Sequence, residues 1–242
     1  MSAKPLVSVL TPTYNRRAFL GQYLKYIRNQ DYQGPIEILL ADDGEDAVAD
    51  LARMEPRIRY IRLNERIPLG AKRNLLANEA KGEILVHMDD DDYYPANRIS
   101  HAVEALLNSD RLIAASSQMY FYNVATDQIV VCGPFGPSHG TAATFAYRRA
   151  YLANHAFPEA AWAQEEPTFT ENFSVPMVQL DARSTVLVIQ HNRNTWDKNN
   201  TAVRPTRFKL KDFVRDINDR RFYRSRLAKL LGSENLLAQG MR

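Results

Sequence analysis

Short apolar runs alternate with helix-spaced apolar positions through the first hundred residues, a rhythm that predicts βαβ units feeding a largely parallel sheet. Residues 7–10 read as a buried strand. Asn15 then caps a helix whose Phe19, Leu20, Tyr23, Leu24 and Ile27 recur on one face. Residues 35–40 predict a second buried strand, ending at Asp42, Asp43 and Gly44, whereas residues 58–63 alternate as a strand exposed on one face does. Residues 68–81 predict a helix stopped by Gly82, and residues 83–88 the strand that leads into Asp89, Asp90, Asp91 and Asp92. A further helix spans 96–108, with Ile99, Val103, Leu106 and Leu107 on one side. Beyond it the pattern loosens into strands at 112–117, 119–124 and 129–131, a Gly/Pro-rich loop at 133–140, a late strand at 185–189 and a polar stretch at 191–205. Residues 206–231 predict one basic amphipathic helix, with Phe213, Val214, Ile217, Phe222, Leu227, Leu230 and Leu231 turned to the body. The expected fold class is α/β: a Rossmann-like mixed, mostly parallel sheet flanked by helices, with a C-terminal amphipathic helical extension.

Composition narrows this picture. At 242 residues, 45% apolar and 24% charged, the chain suffices for one large α/β domain or two small ones. A single cysteine, Cys132, excludes an intrachain disulfide framework and a cysteine zinc cluster, and points to a reducing, cytoplasmic setting. Residues 5–11 are too short for a secretory core, and no run of ~18 apolar residues occurs, so a soluble protein without a transmembrane segment is expected. The net charge of +3 is uneven, with 11 Lys/Arg against 4 Asp/Glu from Thr201 onward and 20 against 24 before it. That basic tail could contact an anionic membrane face peripherally. Its apolar stripe argues for docking on the body, and no nucleic-acid motif is present, so no nucleic-acid partner is expected.

The four adjacent aspartates carry the most chemistry. Their carboxylates repel one another unless a cation or a donor-rich ligand lies among them, and oxygen-only donors suit Mg²⁺ or Mn²⁺; the plain alternative is a solvated acidic turn. Position decides between these. In open α/β sheets ligands bind beyond the carboxyl ends of the strands, and polar clusters follow the first strand (Thr11, Thr13, Tyr14, Arg16), the second (Asp42, Asp43) and the fourth (the aspartates). If those strands are parallel neighbours, the clusters converge on one edge and supply the parts needed to hold a nucleoside diphosphate.

The segments VSVLTPTYNR (7–16), LADDG (40–44), LGAKRN (69–74), AKGEILVHMDDDD (80–92) and QEE (164–166) together resemble the GT-A-fold glycosyltransferases of family 2, across roughly residues 5–190. The resemblance implies an inverting transfer from a UDP-sugar or other nucleotide-diphospho-sugar to a hydroxyl of a glycan or other acceptor, with Mn²⁺ or Mg²⁺. It implies a domain over 1–205, with a nucleotide-binding half at 1–92 and an acceptor-side half at 93–205, plus a packed basic extension at 206–242. Thr11, Tyr14 and Arg16 would then contact the donor. Asp43 would accept the uracil imide N–H, with Asp42 the second candidate. Arg73 would approach the base or diphosphate, Lys72 lying beside it. In the D-x-D positions Asp91 would bind metal and Asp89 ribose or metal, Asp90 would add field at the donor, and Asp92 would reach sugar hydroxyls. Glu165 and Glu166 occupy the place of the family's acidic catalytic pair, though its usual second member is Asp; Glu166 is the expected base and Glu165 the alternative. His191 would complete the metal site, while His139 and Trp196 are secondary contacts. The competing reading is a non-catalytic sugar-nucleotide or polyanion binding module. A sugar-nucleotide pyrophosphorylase would need a Gly-rich loop where Thr11, Pro12, Thr13 and Tyr14 stand.

Overall fold

The computed structural model describes residues 3–191 and 202–227. Four parallel strands, β1 (Val7–Thr13), β2 (Ile36–Asp42), β3 (Ile58–Arg62) and β4 (Ile84–His87), lie in the order β3-β2-β1-β4. All seven residues of β1 are buried, as a central strand covered on both faces requires. The sheet continues past β4 through antiparallel β8 (Ala146–Arg148) to β5 (Ile113–Ala115), and β9 (Val178–Gln179) runs parallel to β5 at the edge. A second sheet has the order β10-β6-β7-β11, from β10 (Leu187–Gln190), β6 (Met119–Asn123), β7 (Gln128–Cys132) and β11 (Arg204–Pro205). The two sheets are joined at Tyr93 and Leu187, whose backbones exchange hydrogen bonds of 3.1 and 3.0 Å.

Residues two apart on a strand share a face, and the helices sort accordingly. Val7, Val9 and Ile38 pack with Phe19, Leu20, Leu24 and Ile27 of α1 (Arg17–Arg28) and with Ile99 and Val103 of α4 (Arg98–Leu107). Leu10, Leu39 and Leu85 face Leu76 and Ala77 of α3 (Leu69–Glu79) on the other side. A short α2 (Ala49–Ala52) bridges β2 and β3. After α3 the chain crosses β1 so closely that a Cβ at Gly82 would stand 2.5 Å from the Ser8 nitrogen, and the Gly82 N–H donates to Ser8 Oγ at 2.7 Å. No helix among the described residues is long and apolar enough to cross a membrane.

Two expectations need correction. Asn15 does not cap α1, which starts after Arg16 without a side-chain cap. Asn15 instead adopts φ 53°, a left-handed conformation that asparagine tolerates, and its Oδ1 accepts the Asp46 N–H at 3.1 Å. Nor do residues 206–231 begin as one helix. After β11 the segment first makes a 3₁₀ turn at Leu210–Asp212. Asp216 then accepts the N–H groups of Asn218 and Asp219 at 2.8 and 3.0 Å, starting α6 (Ile217–Arg221), which runs on as a π-turn over Phe222–Arg226. Ile217, expected to face the body, is 52% exposed as the first residue after the Asp216 cap, while Phe213, Val214, Phe222, Tyr223 and Leu227 are buried. Lys25 pairs with Asp219 at 2.5 Å and the hydroxyls of Tyr26 and Tyr223 lie 2.7 Å apart, which docks this segment on α1. Leu230, Leu231 and Trp196 lie outside the described residues.

Candidate active site

A cleft of about 490 Å³ opens beyond the carboxyl ends of β1, β2 and β4. Thr13, Tyr14, Arg16, Asp43, Lys72, Arg73, the four aspartates, Glu165 and Glu166 all line it. Parallel pairing of β1 with both β2 and β4 is what brings three separate sequence clusters to this edge.

The acidic turn is fastened at several points. The Thr13 hydroxyl donates to Asp90 Oδ2. Asp91 Oδ2 lies 3.2 Å from Arg16 Nε and 3.2 Å from His191 Nε2. Asp92 Oδ1 accepts the Ile189 N–H at 2.8 Å, and the Asp89 N–H donates to the Tyr94 hydroxyl oxygen at 2.6 Å. Burial raises the Asp89 carboxyl even though Arg73 opposes it, and burial together with Asp91 raises Asp90 well above the ordinary range. Both shifts mean that the ionised forms of these carboxyls are disfavoured in the cleft, a cost that a bound cation would relieve. Among the described residues no three or more His, Cys, Asp or Glu side chains form a ready-made metal cage. A hard divalent cation held by one or two carboxylates, its remaining positions filled by phosphate and water, needs no such cage. The oxygen donors of Asp89 and Asp91 fit that mode.

Arg73, 4% exposed, is the hub across the cleft. Its Nε donates to Glu165 Oε1 at 2.7 Å, and its Nη1 lies 3.0 Å from His87 Nδ1 and 3.4 Å from Asp89 Oδ1. Burial works against the guanidinium, but Asp89 and Glu165 outweigh it and its pKa is raised. Because a guanidinium only donates, His87 Nδ1 accepts, and Nε2–H is left to donate to the Tyr147 hydroxyl oxygen at 3.1 Å. Burial, then Arg73 and Arg98, holds His87 well below its usual pKa, so it is neutral. Glu165 is thereby locked in an ion pair. Glu166, at the start of α5 (Glu166–Phe169), accepts only the Ala142 N–H, at 3.1 Å, among the described contacts of its carboxylate, and burial with Glu165 alongside raises its pKa.

Not every expected residue reaches the cleft. Asp42 lies outside its lining: Oδ1 accepts Gly44 N–H at 2.8 Å, and Oδ2 accepts Val48 N–H at 3.0 Å and the Tyr60 hydroxyl at 2.6 Å. It builds the turn after β2. Thr11, fully buried, donates to the Met88 carbonyl at 2.8 Å and shares a short hydrogen bond with the Tyr23 hydroxyl, so it braces β1 against β4 and α1. His191 sits behind Asp91, its side chain buried against Phe19 with ring centres 4.6 Å apart, and does not line the cleft. Asp43 borders the cleft, yet its side chain is 0% exposed; Oδ2 accepts the Ile67 N–H at 3.0 Å and Oδ1 pairs with Lys72. Lys72 also donates to the Thr13 carbonyl at 3.1 Å, and burial lowers its pKa against the pull of Asp43.

Two rim residues escaped the sequence reading. The Arg66 guanidinium lies 4.2 Å from the Tyr14 ring centre and 5.0 Å from that of Trp162, and all three groups line the cleft. Neither residue stands at a strand end or in a periodic run, so only the bulk of an isolated Trp162 in a polar stretch hints at a role. His139 lies between Phe135 and Phe173, with ring centres 4.6 and 4.3 Å away, and burial lowers its pKa. Met119, Phe121, Cys132 and Val188 extend this apolar shelf.

A family model described as Glycosyl transferase family 2 matches residues 8–153. Over 96 residues the chain is 38% identical to the GalNAc(5)-diNAcBac-PP-undecaprenol beta-1,3-glucosyltransferase of Campylobacter jejuni, a match covering 36% of this chain and 30% of that protein. It is 33% identical over 105 residues to a putative colanic acid biosynthesis glycosyl transferase of Escherichia coli, covering 41% of this chain and 37% of the relative. The chain thus spans about a third of the length of these curated relatives. Among solved structures it resembles S. aureus TarS 1–349 in complex with UDP-GlcNAc, with a TM-score of 0.64 at 18% identity, over 78% of this chain and 60% of that one. A mannosyltransferase from Pyrobaculum calidifontis, in complex with GDP-Man and Mn²⁺, aligns with a TM-score of 0.62 at 20% identity, over 80% of this chain and 59% of the other. At these identities the likeness is one of fold.

Proposed function

The chain belongs to glycosyl transferase family 2, and on that premise we propose that the cleft transfers a sugar, with inversion, from a UDP-sugar or other nucleotide-diphospho-sugar to a hydroxyl of a glycan or similar acceptor. The observation that carries this reading is that Glu166, a carboxyl with raised proton affinity, lines the same cleft as Asp89 and Asp91. A base whose pKa is drawn toward the working pH is the more effective one. Glu166 takes the acceptor O–H proton while that oxygen bonds to the anomeric carbon; the bond from this carbon to the diphosphate breaks on the opposite face, and the diphosphate leaves with the electron pair. Glu165, held by Arg73, positions the segment and does not take the proton. Arg73 in turn links that segment to Asp89 on the donor side. Asp91 and Asp89 would hold Mn²⁺ or Mg²⁺, which when bound supplies Lewis-acid neutralisation of the leaving diphosphate. His191 orients Asp91 from behind. The acceptor enters over the shelf of Phe135, His139 and Phe173.

The test is nucleotide release over a panel of sugar nucleotides, with Mn²⁺, Mg²⁺ or chelator. Release with one donor, abolished by chelator, is the expected result. Nucleotide binding without release under any condition would favour a non-catalytic binding module.

A further inference from the structure

We propose that His87 is a positioning residue for the transfer: its ring aims Arg73, and through Arg73 it sets the segment that bears Glu165 and Glu166; this rests on the sugar-transfer reading above. His87 ends β4, is 0% exposed, and lies among Phe145, Tyr147 and Phe157, with ring centres 6.1, 5.5 and 5.7 Å away. An apolar side chain would fill such a slot. An imidazole adds what no apolar group can, an acceptor at Nδ1 for Arg73 Nη1 at 3.0 Å and a donor at Nε2 for the Tyr147 hydroxyl oxygen at 3.1 Å. With both nitrogens engaged, the ring keeps one tautomer and one orientation.

A guanidinium is a rigid planar fork, so holding one of its nitrogens directs the others. With Nη1 at His87, Arg73 Nε meets Glu165 Oε1 at 2.7 Å, and Nη1 stays 3.4 Å from Asp89 Oδ1. Because His87 is neutral, it takes up that donor without bringing a further anion beside Glu165 and Glu166. The main chain gives a second route to the same segment. Arg98, fully buried, donates from Nη2 to the carbonyls of His87, Thr144 and Phe145 at 3.3, 3.0 and 2.9 Å. That ties the end of β4 to the turn at Ala142–Thr144, whose Ala142 N–H donates to Glu166 at 3.1 Å. The ring of His87 thus reaches Glu165, and its carbonyl reaches the turn that holds Glu166. His87 does not line the cleft, so it acts through these partners and not on the substrate.

Turnover and donor KM of the full chain, with Mg²⁺ or Mn²⁺, test this through three substitutions. His87→Leu fills the slot and removes the acceptor; it should lower kcat by about 10²-fold, the cost of a misplacement of about 1 Å. Donor KM should hold, because Asp91 is tied to Arg16 and His191 and not to Arg73. His87→Asn carries an oxygen near the place of Nδ1 and should recover most of the loss, whereas His87→Gln, whose amide reaches towards Tyr147, should not. Nitrogen NMR of the ring in the unaltered chain should show Nδ1 without a proton and Nε2 with one, a signature that needs no activity. Unchanged kcat in His87→Leu, equal turnover in the Asn and Gln variants, or a protonated Nδ1 overturns the positioning role and leaves the glycosyltransferase reading standing. If His87→Leu does not fold by circular dichroism, the Asn and Gln variants and the tautomer decide. No release of nucleotide by the unaltered chain overturns the glycosyltransferase reading, and the positioning role with it.

Discussion

β2 and β4 flank β1 on opposite sides and both lead into aspartates, but the two corners treat their carboxylates in opposite ways. At the end of β2, Asp42 accepts from two backbone N–H groups and a tyrosine hydroxyl, and Asp43 from one N–H and a lysine. At the end of β4, Asp89 and Asp90 are pushed up by burial and by the neighbouring Asp91, with Arg16, Arg73 and Lys72 as the nearby cations among the described residues. A carboxylate with its lone pairs filled by fixed donors is architecture. One held near like charges is unstable alone and becomes stable when a ligand supplies the missing positive charge. Glu165 and Glu166 repeat the contrast between adjacent residues, the first in an ion pair and the second with a raised pKa.

Substitutions at the two corners should separate these roles. Asp91→Ala should lower metal-dependent transfer by about 10⁴-fold, the several kcal/mol a metal contributes to transition-state stabilisation, with an unchanged circular dichroism spectrum; near-normal turnover would erase the distinction between the corners. Glu166→Gln should reduce turnover by about 10³-fold while donor affinity persists. Its pH profile sharpens the point. Because burial and Glu165 raise the Glu166 pKa, the unaltered protein should lose turnover on the acid side at a pH above the ordinary glutamate range, and Glu166→Gln should lack that limb. The same shift means the folded chain binds this proton more tightly than the unfolded one. The resulting contribution to stability is present below the unfolded pKa and is lost as pH rises through the folded pKa. Asp42→Asn should leave turnover per folded molecule within about twofold and cost about 2 kcal/mol, read as a melting shift of roughly 4–8 °C. Thr11→Val, the mildest, should cost about 1 kcal/mol by removing the bond to the Met88 carbonyl, with donor affinity unaltered.

What was legible in the sequence was what contiguous residues encode. Val7, Val9, Ile38 and Val86 announce buried strands, and their parallel order follows from the intervening helices, so the convergence of three polar clusters could be reasoned out. Illegible was the direction in which a given polar side chain turns. Thr11, Asp42 and Asp43 adjoin one strand edge in the sequence, but hydrogen bonds to Met88, Val48 and Ile67 fix their orientation, and those partners are remote or appear only once the loops fold. The basic C-terminal stretch misled for a related reason: helical spacing over 206–231 said nothing of the 3₁₀ turn at Leu210–Asp212 or of Asp216 restarting the chain. Arg66 and Trp162 come together across nearly a hundred residues, and no local pattern carries that.

The bond from Asp92 to Ile189 and the paired bonds between Tyr93 and Leu187 fasten the acidic turn to the second sheet at three points. This bears on how such a protein can be recombined. The boundary a designer would draw between residues 92 and 93, to graft a new acceptor half onto an old donor half, cuts through these ties. A chimera should keep its acidic turn in register only if residues 89–93 travel together with the strand Leu187–Gln190, so the exchangeable unit is a turn and a distant strand, not a continuous half of the chain.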